Sequence, residues 1–390
     1  MSNVSNKRLG DIVNFKRGYD LPSYNREDGP YPIISSSGIS GYHAEYKVEG
    51  EGLITGRYGT LGEMYYVNGK YWPHNTALYV TDFKGNYPKY VYFLLKCLGS
   101  LKTSDKSTVP GVNRNDLHEI LVPYIKPQFQ KPIADLLFLL ESKISLNNRI
   151  NAELEAMAKI LYDFWFVQFD FPDKNGKPYK SSGGKMVWNK ELKREIPEGW
   201  KDSNILAVAE LLGGGTPTKK KPEYWNGNIP FFTPSDADGT IFKFATEDYI
   251  TEEGLKNSST KLFEKDTVFI TARGSVGKLV LTGTKMAMNQ SCYALRAKTG
   301  ISHTFLYFLT KELIHHLEVK SSGSVFNSIV SNDIEFTNLT IPDSTLVEKF
   351  AAVVEPAFDR IANNTRENQH LSSLRDWLLP MLMNGQVKVS

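Results

Sequence analysis

Apolar residues recur in alternating strides of four and three along residues 130–168: Ile133, Leu137, Leu140, Ile144, Asn147, Asn151, Leu154, Ala158, Leu161 and Trp165. That spacing is a heptad seam, and with no proline or glycine from Ile133 onward it predicts one long helix built to lie against another. Two asparagines occupy the middle of the seam, where a polar residue costs stability but fixes register and partner. A second seam stands 217 residues later, at Phe350, Val354, Ala357, Ile361, Asn364, Asn368, Leu371, Arg375, Leu378 and Leu382, with the asparagine pair in the same place. Pro356 removes a backbone donor there and predicts a kink or interruption. Arg375 breaks the apolar pattern, so the second helix is expected to be the less regular one.

The repeat reaches beyond the helices, as a search for internal periodicity shows. Leu53-Ile54, then Gly59 and Gly62, then Met64-Tyr65-Tyr66 read as strand, glycine turn, strand. The pattern returns at an offset of 215 as Val268-Phe269, Gly274 and Gly277, and Leu279-Val280-Leu281. At the same offset His74-Asn75-Thr76 matches Asn289-Gln290-Ser291, and residues 92–96 match 307–311. Tyr31-Pro32-Ile33-Ile34-Ser35 resembles Ile229-Pro230-Phe231-Phe232-Thr233 at an offset of 198, so the second copy carries about 17 more residues before its glycine turn. A fixed scaffold with variable inserts is where binding specificity is commonly carried.

These patterns set the expected architecture, α+β in class. Two similar mixed α/β domains, residues 1–127 and 199–343, each precede a long helix, residues 128–170 and 344–390, with a connector over residues 171–198. The connector is rich in Lys, Gly, Ser and Pro, as in Asp173-Lys174-Asn175-Gly176-Lys177-Pro178, which marks an exposed segment rather than a core element. If the helices pair as an antiparallel coiled coil, the domains sit at opposite ends of a rod with an approximate internal two-fold axis. A helix of roughly 39 residues spans about 58 Å at 1.5 Å per residue. Proteins that read a split DNA site mirror its symmetry, and the distance between their reading heads sets half-site spacing. Two similar but unlike heads in one chain suit two different half-sites. The alternative is an assembly scaffold that reads no DNA.

Composition changes this picture little. The chain has 390 residues, a length for two or three domains, with 23% charged residues and a net charge of +3. That mild basicity does not by itself announce a nucleic-acid binder. The two cysteines, Cys97 and Cys292, have no metal spacing and read as buried thiols of a reducing compartment. No stretch approaches the length of a membrane span and no signal-peptide pattern opens the chain, so a cytoplasmic protein without membrane contact is expected.

Four stretches carry a family resemblance. They are the half-repeat plan; Ala158-Lys159-Ile160-Leu161-Tyr162-Asp163-Phe164-Trp165-Phe166; the connector from Phe171 to Gly184 and on to Ile196-Pro197-Glu198-Gly199-Trp200; and the ending Leu378-Leu379-Pro380-Met381-Leu382-Met383-Asn384-Gly385-Gln386. Gly214-Gly215-Thr216-Pro217 with Tyr224-Trp225-Asn226-Gly227 adds to them, while Arg17-Gly18-Tyr19-Asp20 departs from the pattern in the first half. On these motifs the chain resembles the specificity subunit of a Type I restriction-modification system. The resemblance implies a non-catalytic DNA-binding subunit without cofactors, whose two target recognition domains each read one part of a bipartite site. It implies two modification (methyltransferase) subunits as partners, which bind S-adenosylmethionine and methylate adenine. A restriction subunit, where present, adds ATP-driven translocation and cleavage.

The chain's own chemistry agrees with a binding role. Gly274-Ser275-Val276-Gly277-Lys278 lacks the spacing of a phosphate loop. The seven histidines are scattered, and His315-His316, adjacent on a predicted helix, do not share a face for a metal. No catalytic or metal residues are assigned. Candidate DNA contacts are Arg57, Tyr58 and Thr60 at the first glycine turn and Arg273 and Ser275 at the second, because arginine reads guanine edges and phosphates, and glycine turns let backbone approach the duplex. Lys219, Lys220 and Lys221 suit phosphate contact. Ser35, Ser36, Thr233 and Ser235 follow the matched strands, and Ser107 and Thr108 lie in a further matched loop with Ser324. Asn147, Asn151, Asn364 and Asn368 are the expected seam residues.

Overall fold

The computed structural model describes residues 4–56, 63–98, 114–320 and 328–389. Two compact units divide the chain: residues 1–145 with 369–390, and residues 146–368.

In the first unit β1 (Val4–Arg8), α1 (Leu9–Ile12), β2 (Asn14–Arg17), β3 (Tyr31–Ser35), β4 (Gly38–His43), β5 (Val48–Gly56), β6 (Met64–Pro73) and β7 (Ala77–Asp82) precede two helices, α2 (Pro88–Leu98) and α3 (Arg114–Glu119). Strand β8 (Leu121–Ile125) then leads into α4 (Pro127–Tyr162). Six strands form one sheet in the order β2-β7-β5-β6-β3-β4, and β8 returns to pair antiparallel with β1. Helix α2 begins at a proline, which suits the first helical position, and its apolar run Tyr90 to Leu95 is buried on every side. The core gathers α1, α2 and the inner face of the sheet around Leu137 and, from the far end of the chain, Leu382 and Met383.

The second unit opens with a hairpin, β9 (Met186–Asn189) on β10 (Arg194–Pro197), followed by β11 (Lys201–Ser203) and β12 (Ala209–Gly213). After β13 (Trp225–Phe232) come β14 (Phe242–Lys243), β15 (Asp248–Ile250), α5 (Glu252–Lys256), β16 (Val268–Thr271), β17 (Leu279–Thr282), β18 (Ala287–Met288) and β19 (Cys292–Ala297). The unit continues through α6 (His303–Lys320), α7 (Ser331–Glu335) and β20 (Leu339–Ile341) into α8 (Ser344–Met383). The plan of the first unit recurs with a split strand and an added one. The ten-residue strand β6 has two short counterparts, β17 and β18, and β14 is added on the edge of β17, so in place of one six-stranded sheet stand a five-stranded sheet, β12-β19-β16-β17-β14, and a separate three-stranded one, β15-β13-β18. Strands β11 and β20 pair antiparallel as β1 and β8 do.

The seam residues of α4, the turn after it and α8 are buried or half-buried. Two expectations are corrected. Helix α8 runs unbroken through Pro356 for 40 residues, with the proline on an exposed face where its ring meets solvent and a lost donor is least costly. The connector is not bare. It holds the β9–β10 hairpin, buries Ile196 to 1% exposure, and stacks Phe171 between Tyr179 and Trp200 at 4.7 and 5.3 Å. Of the two cysteines Cys292 is buried and Cys97 half-buried, and burial pushes their thiols up to about 12 and about 11. No helix among the described residues is long and apolar enough to cross a membrane.

Candidate nucleic-acid interface

Each unit builds the same frame at one edge of its sheets. In the first, the end of β2 meets the turn between β6 and β7: Tyr19 donates its amide to the Pro73 carbonyl at 2.8 Å, and His74 donates to the Ile34 carbonyl at 2.8 Å. In the second, Gly215 donates to the Met288 carbonyl at 3.1 Å, and Asn289 donates to the Phe232 carbonyl at 3.0 Å. A glycine permits the approach in both. A Cβ on Gly18 would stand 2.2 Å from the His74 carbonyl oxygen, and one on Gly214 would stand 2.1 Å from that of Asn289. The parallel pairings Ile34 with Pro73 and Phe232 with Met288 complete the correspondence. The frame thus aligns Asp20 and Asn75 of the first unit with Thr216 and Gln290 of the second.

The candidate residues fall around these frames with different degrees of freedom. Ser35 is 8% exposed, and its hydroxyl donates to the Gly38 carbonyl at 3.1 Å, closing the β3–β4 turn. Ser36 donates its amide to Thr76 Oγ1 at 3.4 Å, beside the His74 turn. Thr233 is a cap. Its amide and hydroxyl both donate to the Asp236 carboxylate, at 2.8 and 2.9 Å, and its hydroxyl shares a 2.7 Å bond with Ser235 Oγ. Ser235 itself is exposed.

Arg273 and Ser275 occupy the β16–β17 turn, where the backbone amide of Arg273 donates to the Ser291 carbonyl at 3.2 Å and Ser275 takes a left-handed φ of 46°. This segment links antiparallel strands, whereas a phosphate loop opens a helix. Two of the three clustered lysines rest on rings: Lys219 lies 5.6 Å from the Trp225 centroid, and Lys221 lies 4.9 Å from that of Tyr224 while donating to its hydroxyl at 2.9 Å. Lys220 is exposed. Arg57, Tyr58, Thr60, Ser107, Thr108 and Ser324 lie outside the described residues.

The asparagines meet within the second unit. Asn147 Nδ2 donates to Glu367 Oε2 at 2.8 Å and to Asn368 Oδ1 at 2.9 Å, and Asn364 Nδ2 donates to Asn151 Oδ1 at 2.8 Å. The pairing runs in opposite senses along the two helices here, since 147 faces 368 and 151 faces 364.

Two features escaped sequence reasoning. One is the bond from Thr216 Oγ1 to Gln290 Oε1, which only the β12–β18 neighbourhood brings together. The repeat had marked Gln290, and that was its one signal. The other is a cavity of about 860 Å³ beside the π-helical turn Asp163–Val167 that closes α4. Tyr162 there donates to Glu312 Oε2 at 2.7 Å, and burial pushes the Glu312 carboxyl above its ordinary range. His315 and His316 line the same cavity, yet no group of three metal-ligating side chains forms among the described residues.

Comparison with known proteins follows the duplicated frame. A family model for the Type I restriction modification DNA specificity domain matches residues 1–156 and again 197–372. The chain is 27% identical over 310 residues to the Type I restriction enzyme MjaIX specificity subunit of Methanocaldococcus jannaschii, covering 77% of this chain and 69% of that one. It is 22% identical over 357 residues to the HindI specificity subunit of Haemophilus influenzae, covering 77% of each. The crystal structure of the Type I restriction-modification S subunit from M. genitalium shares the fold, with a TM-score of 0.64 at 15% identity over 97% of this chain and 95% of that one. With the specificity domain matched twice, on the two halves that repeat the same frame, the chain belongs to the family of Type I restriction-modification specificity subunits.

Proposed function

We propose that the chain is the DNA-reading subunit of a Type I restriction-modification complex, and that each unit reads one half of a bipartite target. The observation that carries this is the frame built twice with unlike side chains at matching positions, Asp20 and Asn75 in one unit, Thr216 and Gln290 in the other. A common scaffold with different side-chain chemistry suits a site made of two different halves. Helices α4 and α8, paired antiparallel as a coiled coil about an approximate two-fold axis, set the gap between the halves and help dock two methyltransferase subunits. At 36 and 40 residues they span about 54 and 60 Å at 1.5 Å per residue. The asparagine ladder supports a single register for that pairing.

Arg273, Ser235, Ser36 and the lysines at 219–221 supply phosphate and base contacts, and binding weakens as salt rises because each neutralised phosphate releases counterions. Adenine methylation and DNA cleavage belong to the partner subunits, a restriction subunit among them where one is present, and this chain needs no cofactor.

Co-expression with the methyltransferase partner, followed by a genome-wide map of methylated adenines, tests the proposal. A gapped two-part motif that vanishes without this chain is expected. Replacing residues 199–343 by the corresponding segment of a divergent relative should change one half of the motif only. An unchanged motif would favour the assembly-scaffold alternative.

A further inference from the structure

We propose that Gln290 reads an adenine in the half-site of the second unit, and that Thr216 is the positioning residue that orients its amide. The inference rests on the DNA-reading function proposed above.

Gln290 is exposed at the tip of the turn between β18 and β19, and the backbone on either side of it is tied down. Asn289 donates its amide to the Phe232 carbonyl at 3.0 Å and accepts from Cys292 at 3.3 Å. Ser291 donates its amide to Asn289 Oδ1 at 3.0 Å, and its carbonyl accepts from Ala272 at 2.8 Å and Arg273 at 3.2 Å. Gly214, pressed against the Asn289 carbonyl, brings the Thr216 strand end close enough for the hydroxyl to reach the glutamine. A long surface side chain ordinarily samples many rotamers, and this one is held by a hydroxyl on a neighbouring element.

The bond also decides what the amide can still do. Thr216 donates to Oε1, which leaves that oxygen one lone pair and leaves Nε2 both hydrogens. Nε2 has no acceptor among the described residues. A donor and an acceptor held side by side complement N7 and the N6 amino group of adenine in the major groove. The matching pair in the first unit, Asp20 and Asn75, offers different chemistry from the same frame, as two unlike half-sites require.

The test uses the full chain co-expressed with its methyltransferase partner and the same methylated-adenine map. With Gln290→Ala, one base pair of one half-site should relax, with methylation at sites mismatched there rising about ten- to a hundredfold. Gln290→Glu keeps the shape but exchanges the donor for an acceptor, so preference at that position should move from adenine to cytosine, whose N4 amino group donates. Thr216→Val should loosen the same position, and Thr216→Ser should restore it. Two outcomes overturn the assignment: a motif unchanged at every position in both Gln290 variants, or a uniform loss of methylation with the motif intact. Absence of any gapped motif with the unaltered chain would instead overturn the DNA-reading function itself.

Discussion

Glu312 stands half-buried on α6, and loss of hydration outweighs what Tyr162 and the nearby Arg194 return to its charge. Its folded carboxyl therefore holds a proton more readily than an unfolded one. The associated stability is present below the unfolded value, about 4.3, and is lost as pH rises through the raised folded value. Glu312→Gln is neutral at every pH and keeps an acceptor for the Tyr162 hydroxyl. Calorimetry should show the variant melting above the parent at pH 7 and level with it near pH 4. Nothing in the sequence marks this residue, since a glutamate amid Lys311, His315 and His316 reads as ordinary solvated surface. Gln290 was half legible: the repeat selected its position, but its tie to Thr216 spans 74 residues and depends on how two strand ends meet. At Ser35 the sequence did not show the burial. A serine after a strand looks like a reader, yet the tight turn to Gly38 draws it inward.

Among the elements, the long helices were the most legible, because a period repeated over ten positions leaves few alternatives. The π-helical turn at Asp163–Val167 was not, since a change in hydrogen-bond spacing leaves no mark in residue type. The consecutive Trp165 and Phe166 are both buried there, against Phe350. Along the seam Asn151 and Asn364 depend on one another. Asn364→Ala strands the Asn151 carbonyl oxygen in a half-buried site and should cost about 1–3 kcal/mol in chemical denaturation. Replacing both by leucine removes the stranded partner, so stability should return close to the parent value or exceed it. The double variant should then lose its single pairing register, which would appear as broadened amide resonances in α4 and α8. A loss in the double variant equal to the sum of the losses from changing each asparagine alone would show that the pair contributes no coupling.

For the whole molecule, the duplication was evident from offsets of 215 and 217, while the division of one sheet into two was hidden. That division follows from where β17 stops: Gly283 lies against the Phe244 ring, and a Cβ there would fall 2.4 Å from it. The parallel pairing to β13 resumes only at Ala287. The first unit also draws on both extremes of the chain. Leu382 and Met383 are fully buried in its core beside Val4, Val387 and Val389. Removing residues 386–390 strips two valines from that cluster and should lower the melting temperature of the first unit by several degrees, from a loss of roughly 1–3 kcal/mol. Hydrogen exchange in β12 to β19 should not change.

Gly385 lies so close to Val4 that a Cβ placed on it would come within 2.3 Å of the valine Cγ2. Strand β1 and the turn after α8 thus lie side by side, close enough for a short linker to join them. A short splice between head and tail, with a new opening at the exposed Asn175-Gly176 bend, would yield a rearranged gene whose product keeps every ladder intact. Such a rearranged protein should fold and should specify the same methylation pattern as its parent.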